Sequence, residues 1–386
     1  MKLLVAGVTW PPETFLRQRL EGLARRGVEV TAAVSVPRRR AARPGLPGVL
    51  QGVRMVRLPH WDDPKLLRAW RAIWASAWWK AARGEWRRWP AYAALARLRP
   101  EVVHFEWNSV AIDYWPLVER WRRPVVISCR GSQIQVRPHL PGQEEYVRGL
   151  ERTLGGATAV HCVSAAIREE AAKFGLDRRK AVVIRPAVDA EFFQPGGGRR
   201  GDDAEFRIVS TGSLHWVKGH EYALAAVRKL VDDGLQVRFE IIGDGKKAER
   251  QRLQYAIQDL GLESVARLRG ALPPAAVREA LQQADAFLLA SLSEGISNAA
   301  LEAMACAVPV VTTGCGGMRE AVSDGVEGFV VPVRDPAAMA GALAKLAGDR
   351  ELRERLGRAG RERVLREFTL ARQMDDFLSL YRRLVA

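Results

Sequence analysis

The first residues set the period of the whole chain. Lys2–Val8, apolar from Leu3 onward, has the pattern of a strand covered on both faces. A loop, Thr9-Trp10-Pro11-Pro12-Glu13-Thr14, follows it. Apolar residues then fall at helical spacing (Phe15, Leu16, Leu20, Leu23, Ala24), predicting a helix to about Arg26, with Gly27 ending it. Val28–Val34, β-branched and mostly apolar, is the next strand. Strand, helix, strand at these lengths is a βαβ unit, and its strands are parallel. Further strands are predicted at about Val53–Leu58, Val102–Phe105, Val125–Ser128, Thr158–Val163 and Ala181–Ile184, with helical patterns between most of them.

The alternation stops at Gln194-Pro195-Gly196-Gly197-Gly198, continuing polar to Asp203, where three successive glycines beside a proline exclude both helix and strand. It then restarts, with strands at Phe206–Thr211, Val237–Ile242, Ala266–Arg269, Ala286–Leu289, Val308–Thr312 and Gly328–Val331. A long helical run from Pro336 closes the chain, broken near Gly348-Asp349 and Phe368-Thr369. The pattern predicts two doubly wound α/β domains, 1–194 and 205–367, joined by a linker at 195–204, with a final helix at 368–386. A cleft between two such domains is the expected place for a ligand.

One stretch of the second domain carries chemistry. Between two buried strands lies Ser293-Glu294-Gly295-Ile296-Ser297-Asn298-Ala299-Ala300-Leu301-Glu302. A helix opening at Ser297 aims its free N–H groups and positive dipole end at the loop before it, which makes a seat for a phosphate. Two carboxylates flank the seat, and a carboxylate accepts both hydrogen bonds of a vicinal diol such as a sugar ring offers. Glu302 is placed on the nucleotide side and Glu294 on the transferred sugar. The turn Thr211-Gly212-Ser213-Leu214 ends the domain's first strand, and Lys218-Gly219 opens the next helix at the same sheet edge, where a lysine neutralises a diphosphate. Gly243-Asp244-Gly245-Lys246 matches a dinucleotide fingerprint only weakly, because no ribose-binding acid follows at the right spacing.

Charge adds a second theme. The 386 residues carry a net +16, and residues 1–190 hold all of that surplus, with 33 Lys/Arg against 17 Asp/Glu. From Trp61 to Arg99 there are seven tryptophans, and from Lys65 to Arg99 nine Lys/Arg face one acid, Glu85. Two readings fit this segment: a helical hairpin with tryptophans in the core, or an amphipathic element at a membrane surface. Nucleic-acid stacking ranks below both, since no nucleic-acid module is present and no such partner is expected. The cysteines (129, 162, 306, 315) read as reduced thiols, His104 and His161 as structural, and the chain as cytoplasmic, with Trp61–Arg99 as a peripheral membrane candidate.

The segments TGSLHWVKG, IIGDG, ADAFLLASLSEGISNAALEAMACAVPVVTT and GCGGMREAVSDGVEGFVVPV resemble the family 4 (group 1) glycosyltransferases of the GT-B fold. VHCVSAAIREEAAKFGL and VIRPAVDAEFF extend the resemblance into the first half. It implies a retaining transfer of sugar from a nucleotide-diphosphate sugar to a hydroxyl acceptor, with the donor as co-substrate and neither metal nor other cofactor. The absence of any Asp-x-Asp fits that. It implies donor contacts from Gly212, Ser213, Lys218, Gly243, Gly245, Arg269, Glu294, Gly295, Ile296, Ser297, Asn298, Ala299 and Glu302, and a last helix that crosses back to the first domain. The acceptor, a glycan, lipid-linked or small molecule, falls to the first domain, where Thr14, Gly131, Ser132 and Gln133 are candidates.

Departures from the family matter as much. Gly-Arg-Leu becomes Gly212-Ser213-Leu214, so a phosphate-binding arginine is missing, and Pro11-Pro12-Glu13-Thr14 replaces a glycine loop. His-Gly-x-Asp becomes Arg130-Gly131-Ser132-Gln133, which puts an anion-holding group where a base is usual, either to replace the missing positive charge at the diphosphate or to hold an anionic acceptor. Arg130 is therefore grouped with Glu294 and Lys218 as a catalytic candidate. The alternatives are a sugar-nucleotide epimerase or phosphorylase of the same fold, and a non-catalytic basic module for membranes or nucleic acid.

Overall fold

A computed structural model describes residues 1–35, 50–58, 89–197 and 205–386. Most of the Trp/Arg-rich segment, and residues 198–204 of the expected linker, lie outside the described residues. Two compact units divide the chain. One comprises residues 1–163, 167–184 and 374–386, and the other residues 164–166 and 185–373.

The first unit is built on a seven-stranded sheet: β1 (Lys2–Thr9), β2 (Glu29–Ser35), β3 (Val53–Arg57), β4 (Val102–Phe105), β5 (Val125–Cys129), β6 (Ala159–Cys162) and β7 (Ala181–Val183). Their spatial order is β3-β2-β1-β4-β5-β6-β7, with every pair parallel. All residues of β4, β5 and β6 are buried, which is why these strands read as continuous apolar runs rather than as alternation. The helix Thr14–Arg25 lays Leu16, Leu20 and Leu23 on one face of the sheet. The last helix, Leu370–Val385, adds Met374, Phe377, Leu378 and Tyr381 to the same layer.

The second unit has β8 (Phe206–Thr211), β9 (Val237–Ile242), β10 (Ala266–Gly270), β11 (Ala286–Leu289), β12 (Val310–Thr313) and β13 (Gly328–Val331) in the order β10-β9-β8-β11-β12-β13, again all parallel. Both sheets are doubly wound and change direction beside their first strand, at β1/β4 and at β8/β11. At such a switch point flanking loops part and leave a crevice at the strands' C-terminal ends.

All thirteen strands match the apolar runs to within a residue or two. The closing helices break where expected: Asp349 caps the helix Arg350–Glu367 by accepting from the Leu352 N–H, and Phe368 ends it. The unit boundary at Ile184/Arg185 falls ahead of the glycine run. Val188 bridges to Thr369, and Gln373 donates to the Arg185 carbonyl at 2.9 Å, which ties this stretch to the second unit. Among the described residues no helix is long and apolar enough to cross a membrane. All four cysteines are free and buried.

Candidate functional site

At the β8/β11 switch point the backbone is drawn tight. The Gly212 N–H donates to the Ile242 carbonyl and the Gly243 N–H to Gly270, so the turns after β8, β9 and β10 are stitched together. A Cβ on Gly243 would sit 1.7 Å from the Gly212 carbonyl oxygen, so only glycine fits. Gly245 lies on the same seam, against the Leu214 carbonyl.

Lys218 is placed by a short turn rather than by a helix start. His215 accepts from the Val217 N–H and caps the single 3₁₀ turn Trp216–Lys218. Gly219, at φ +61°, then reverses the chain into the helix His220–Asp232. A Cβ there would meet the Ala290 carbonyl at 2.2 Å. His220, buried behind the turn, bonds the Ser213 carbonyl, and burial lowers its pKa to about 4, so it is neutral. The Leu292 N–H donates to the Val217 carbonyl at 2.7 Å and locks this turn to the loop after β11.

That lock brings the two expected charges together. Lys218 Nζ lies 2.6 Å from Glu294 Oε1, and the Ser291 hydroxyl donates to the same oxygen at 2.8 Å. Ser291 is held in turn by Thr313, whose hydroxyl donates to its carbonyl. Glu294 Oε2 accepts no hydrogen bond from the described residues. Lys218 is 24% exposed and Glu294 11%, so the pair faces the sheet edge rather than the core.

Ser297 caps the helix Asn298–Ala305, its hydroxyl accepting from the Ala300 N–H. The first N–H groups, those of Asn298 and Ala299, have no carbonyl a turn behind them to bond. The helix begins one residue later than the sequence implied, since Ser297 is its cap. Gly295 and buried Ile296 lead into it. The Asn298 Oδ1 is buried and unpartnered among the described residues. Glu302 is half-buried, its carboxyl has no hydrogen-bond partner among the described residues, and desolvation pushes that carboxyl up to about 7. Arg269 lies on β10, engaged by both oxygens of Glu240 on β9 at 2.7 and 2.8 Å. Ser213 is exposed at the end of the β8 turn.

In the first unit, Thr14 opens the helix after β1, and Gly131, Ser132 and Gln133 follow β5. Gln133 accepts from the Ser109 N–H at 3.1 Å. Arg130 donates to Glu106 at 2.9 Å and lies over the Phe15 ring, 4.8 Å from its centroid. Arg19 donates to the other Glu106 oxygen. Neither Arg19 nor Glu106 was expected. The signal for Arg19 is a charge on the apolar stripe of its helix, three residues from Leu16 and four from Leu23.

Residues 199–363 match the glycosyl transferases group 1 pattern, and residues 12–192 match the Glycosyltransferase Family 4 pattern. The chain belongs to the group 1, family 4 glycosyltransferases. Among curated relatives of this family, a D-inositol 3-phosphate glycosyltransferase of Geodermatophilus obscurus is 32% identical over 311 residues, which are 73% of this chain and 66% of that protein. The chain thus spans just under two thirds of that relative's length. Sucrose-phosphate synthase from Thermosynechococcus elongatus superposes with a TM-score of 0.83 at 20% identity, over 100% of this chain and 99% of that one. HepE from Anabaena, solved with UDP, gives 0.77 at 18% identity over the whole of both chains. These likenesses establish the GT-B fold for both units of this chain.

Proposed function

We propose that this protein moves a sugar from a nucleotide-diphosphate sugar to a hydroxyl acceptor, with retention at the anomeric carbon and without a metal ion. The observation that carries the reading is the Lys218–Glu294 pair at the β8/β11 switch point, beside the open start of a capped helix. Glu294 offers Oε2 to the hydroxyls of the transferred sugar while Lys218 and Ser291 hold Oε1. Lys218 and the N–H groups of Asn298 and Ala299 face where the diphosphate's charge grows as the sugar–oxygen bond breaks. Fixed charges and dipoles aimed at developing charge are the largest single contribution to many enzymic rates. Glu302 is suited to the ribose, as an acceptor for both hydroxyls of the diol. Supporting this, the structural neighbour HepE was solved with UDP and with UDP-glucose. The acceptor is assigned to the first domain, and polysaccharide or glycoconjugate synthesis is the setting that a hydroxyl acceptor suggests.

The test is a thermal-shift screen over UDP-, GDP-, ADP- and dTDP-sugars, followed by turnover with the stabilising donor. A donor at about a hundred times its Kd stabilises by about 2.7 kcal/mol. The product anomer read by NMR decides retention, and chelator added to the assay should leave the rate unchanged. Glu294→Ala should keep the fold and lose transfer. Near-normal turnover in that variant would sink the assignment, and conversion of the donor without acceptor would favour an epimerase.

A further inference from the structure

At the β1/β4 switch point of the first unit, three charged side chains meet inside the protein. Glu106 follows β4 directly and is fully buried. One of its oxygens takes Arg19 and the other takes Arg130. A single carboxylate cannot neutralise two guanidinium groups, so the hydrogen-bonded cluster carries a unit of positive charge that only Glu13, on the exposed loop nearby, offsets from a distance. His104 adds none: burial holds its pKa well below the usual value, so the ring is neutral. Burial above all lowers Arg130 to about 10, and burial together with the charge of Arg130 lowers Arg19 to about 9.

The donors are also in excess. Arg130 Nε, Arg19 Nε and Arg19 Nη1 are buried with no hydrogen-bond partner among the described residues. So are both amide atoms of Asn108, which opens the helix beside Glu106. A native interior leaves few such groups, and several together at one crevice call for an explanation. Arg130 is not buried like the others. Its side chain keeps 16% exposure, one edge is fixed by Glu106, and its face lies over Phe15. A guanidinium held flat in this way has already given up the freedom that binding would cost it.

We propose that the Arg130–Glu106–Arg19 cluster is an oxyanion site, with Arg130 as the contacting group, for a phosphate or carboxylate carried on the ligand of the first domain. The shared chemistry is an anion with two oxygens in one plane, which the Arg130 fork meets. Glu106 and Arg19 act as positioning residues: Glu106 aims the fork, and Arg19 occupies enough of Glu106 that Arg130 keeps its charge. Glu13, the other acid within electrostatic reach of Arg130, makes no hydrogen bond to it and would oppose an incoming anion. That the carrier is the sugar acceptor rests on the proposed transfer reaction; the site itself does not.

The test uses the full chain with Lys218→Ala, which removes the cation of the donor site. Ligand-observed NMR titration compares glucose 6-phosphate, glucuronate and glucose. Saturable binding of at least one charged probe, with none for glucose, is expected, and the stronger of the two identifies the group. Arg130→Gln should weaken that binding by about tenfold or more, the size of a lost charge-assisted hydrogen bond. Glu13→Gln, on an exposed loop, should strengthen it severalfold. If neither charged probe binds better than glucose, or if binding ignores both substitutions, the proposal fails. Should Arg130→Gln not fold, an unchanged affinity in Glu13→Gln is enough to overturn it. Probe binding that survives while Glu294→Ala retains transfer would leave the site standing and remove the transfer mechanism.

Discussion

The two switch points solve one electrostatic problem in opposite ways. Each lies beside the first strand of a parallel sheet, and each brings a cation that follows that strand onto a glutamate across the switch. In the second unit this is Lys218 on Glu294, one charge on one charge, with side chains 24% and 11% exposed. In the first it is Arg19 on Glu106, with side chains 2% and 1% exposed, plus Arg130. An open pair can trade its partner for a ligand, because water shares the cost of parting the charges. A sealed pair cannot. The first unit's pair is therefore architecture, and its extra arginine is the part that can act; in the second unit the pair itself can act.

The sharpest way to break this contrast is to remove the acid from each side. Glu106→Gln leaves the sealed Arg19 and the partly exposed Arg130 on a neutral amide and should destabilise the first unit by about 3–5 kcal/mol, the usual result of breaking a buried ion pair from one side. Urea unfolding measures it, and a loss under about 1 kcal/mol would mean that water reaches the cluster. The cation of the open pair should behave differently. Lys218→Ala should cost about 10²–10³-fold in kcat, as for removal of one group stabilising the transition state, with little change in the urea midpoint. Equal losses of stability from the two substitutions would erase the distinction.

Acid separates the units by a smaller margin. His104 and His161 of the first unit are held neutral well below the usual histidine range by burial. Their folded pKa is depressed, so their stabilisation is complete above about pH 6.5 and is lost as pH falls toward the folded values. Each then costs about 1.4 kcal/mol per pH unit. The second unit has His220, lowered to about 4, but also Glu302, raised to about 7. The sign for Glu302 is opposite: its contribution is full below the unfolded value of 4.5 and is lost as pH rises through about 7. From pH 6.5 down to 4.5 the gain at Glu302 offsets the loss at His220. Hydrogen-exchange protection should therefore fall in β4–β6 and hold in β8–β12 across this window; a uniform fall would refute the balance.

Legibility in the sequence follows the same division. The central strands are legible because a buried parallel strand is a contiguous apolar run, and the edge strands Val53–Arg57 and Ala266–Gly270 because apolar residues alternate there with arginines. Lys218, Glu294 and Ser297 were readable for a similar reason: each sits in a local motif of loop and helix start. The Arg19–Glu106–Arg130 cluster was not. Its members lie far apart in sequence and meet only through the β1-β4-β5 order, which an apolar pattern does not specify. Arg130 stood out by its place after β5, yet its partner could not be named. Lys218 itself looks in sequence like part of a helix start, because the αL turn at Gly219 that sets it apart is a matter of backbone, not of residue pattern.

The smallest test concerns how the last helix is fastened to the first unit. His161 Nε2 faces the Ile184 carbonyl at 2.9 Å, and a carbonyl only accepts, so that nitrogen carries the proton. His161 Nδ1 is then an acceptor, filled by the Ser128 hydroxyl at 2.8 Å. Ser128 has no second proton, so His104 Nε2 must donate to it, at 2.8 Å. His104 Nδ1 is left as an acceptor, and Tyr381 of the last helix donates to it at 2.6 Å. Burial pushes the Tyr381 hydroxyl up to about 12, so it keeps its proton. The chain of bonds runs one way and cannot reverse, because its far end is a carbonyl. Tyr381→Phe therefore strands His104 Nδ1 and should cost about 1–2 kcal/mol. The loss should appear as increased exchange in the helix Leu370–Val385, while Lys218-dependent donor binding stays as it was. An unchanged melting temperature would mean that a water takes the place of the phenol, and that the first unit's interior is wetter than its sealed Arg19–Glu106 pair implies.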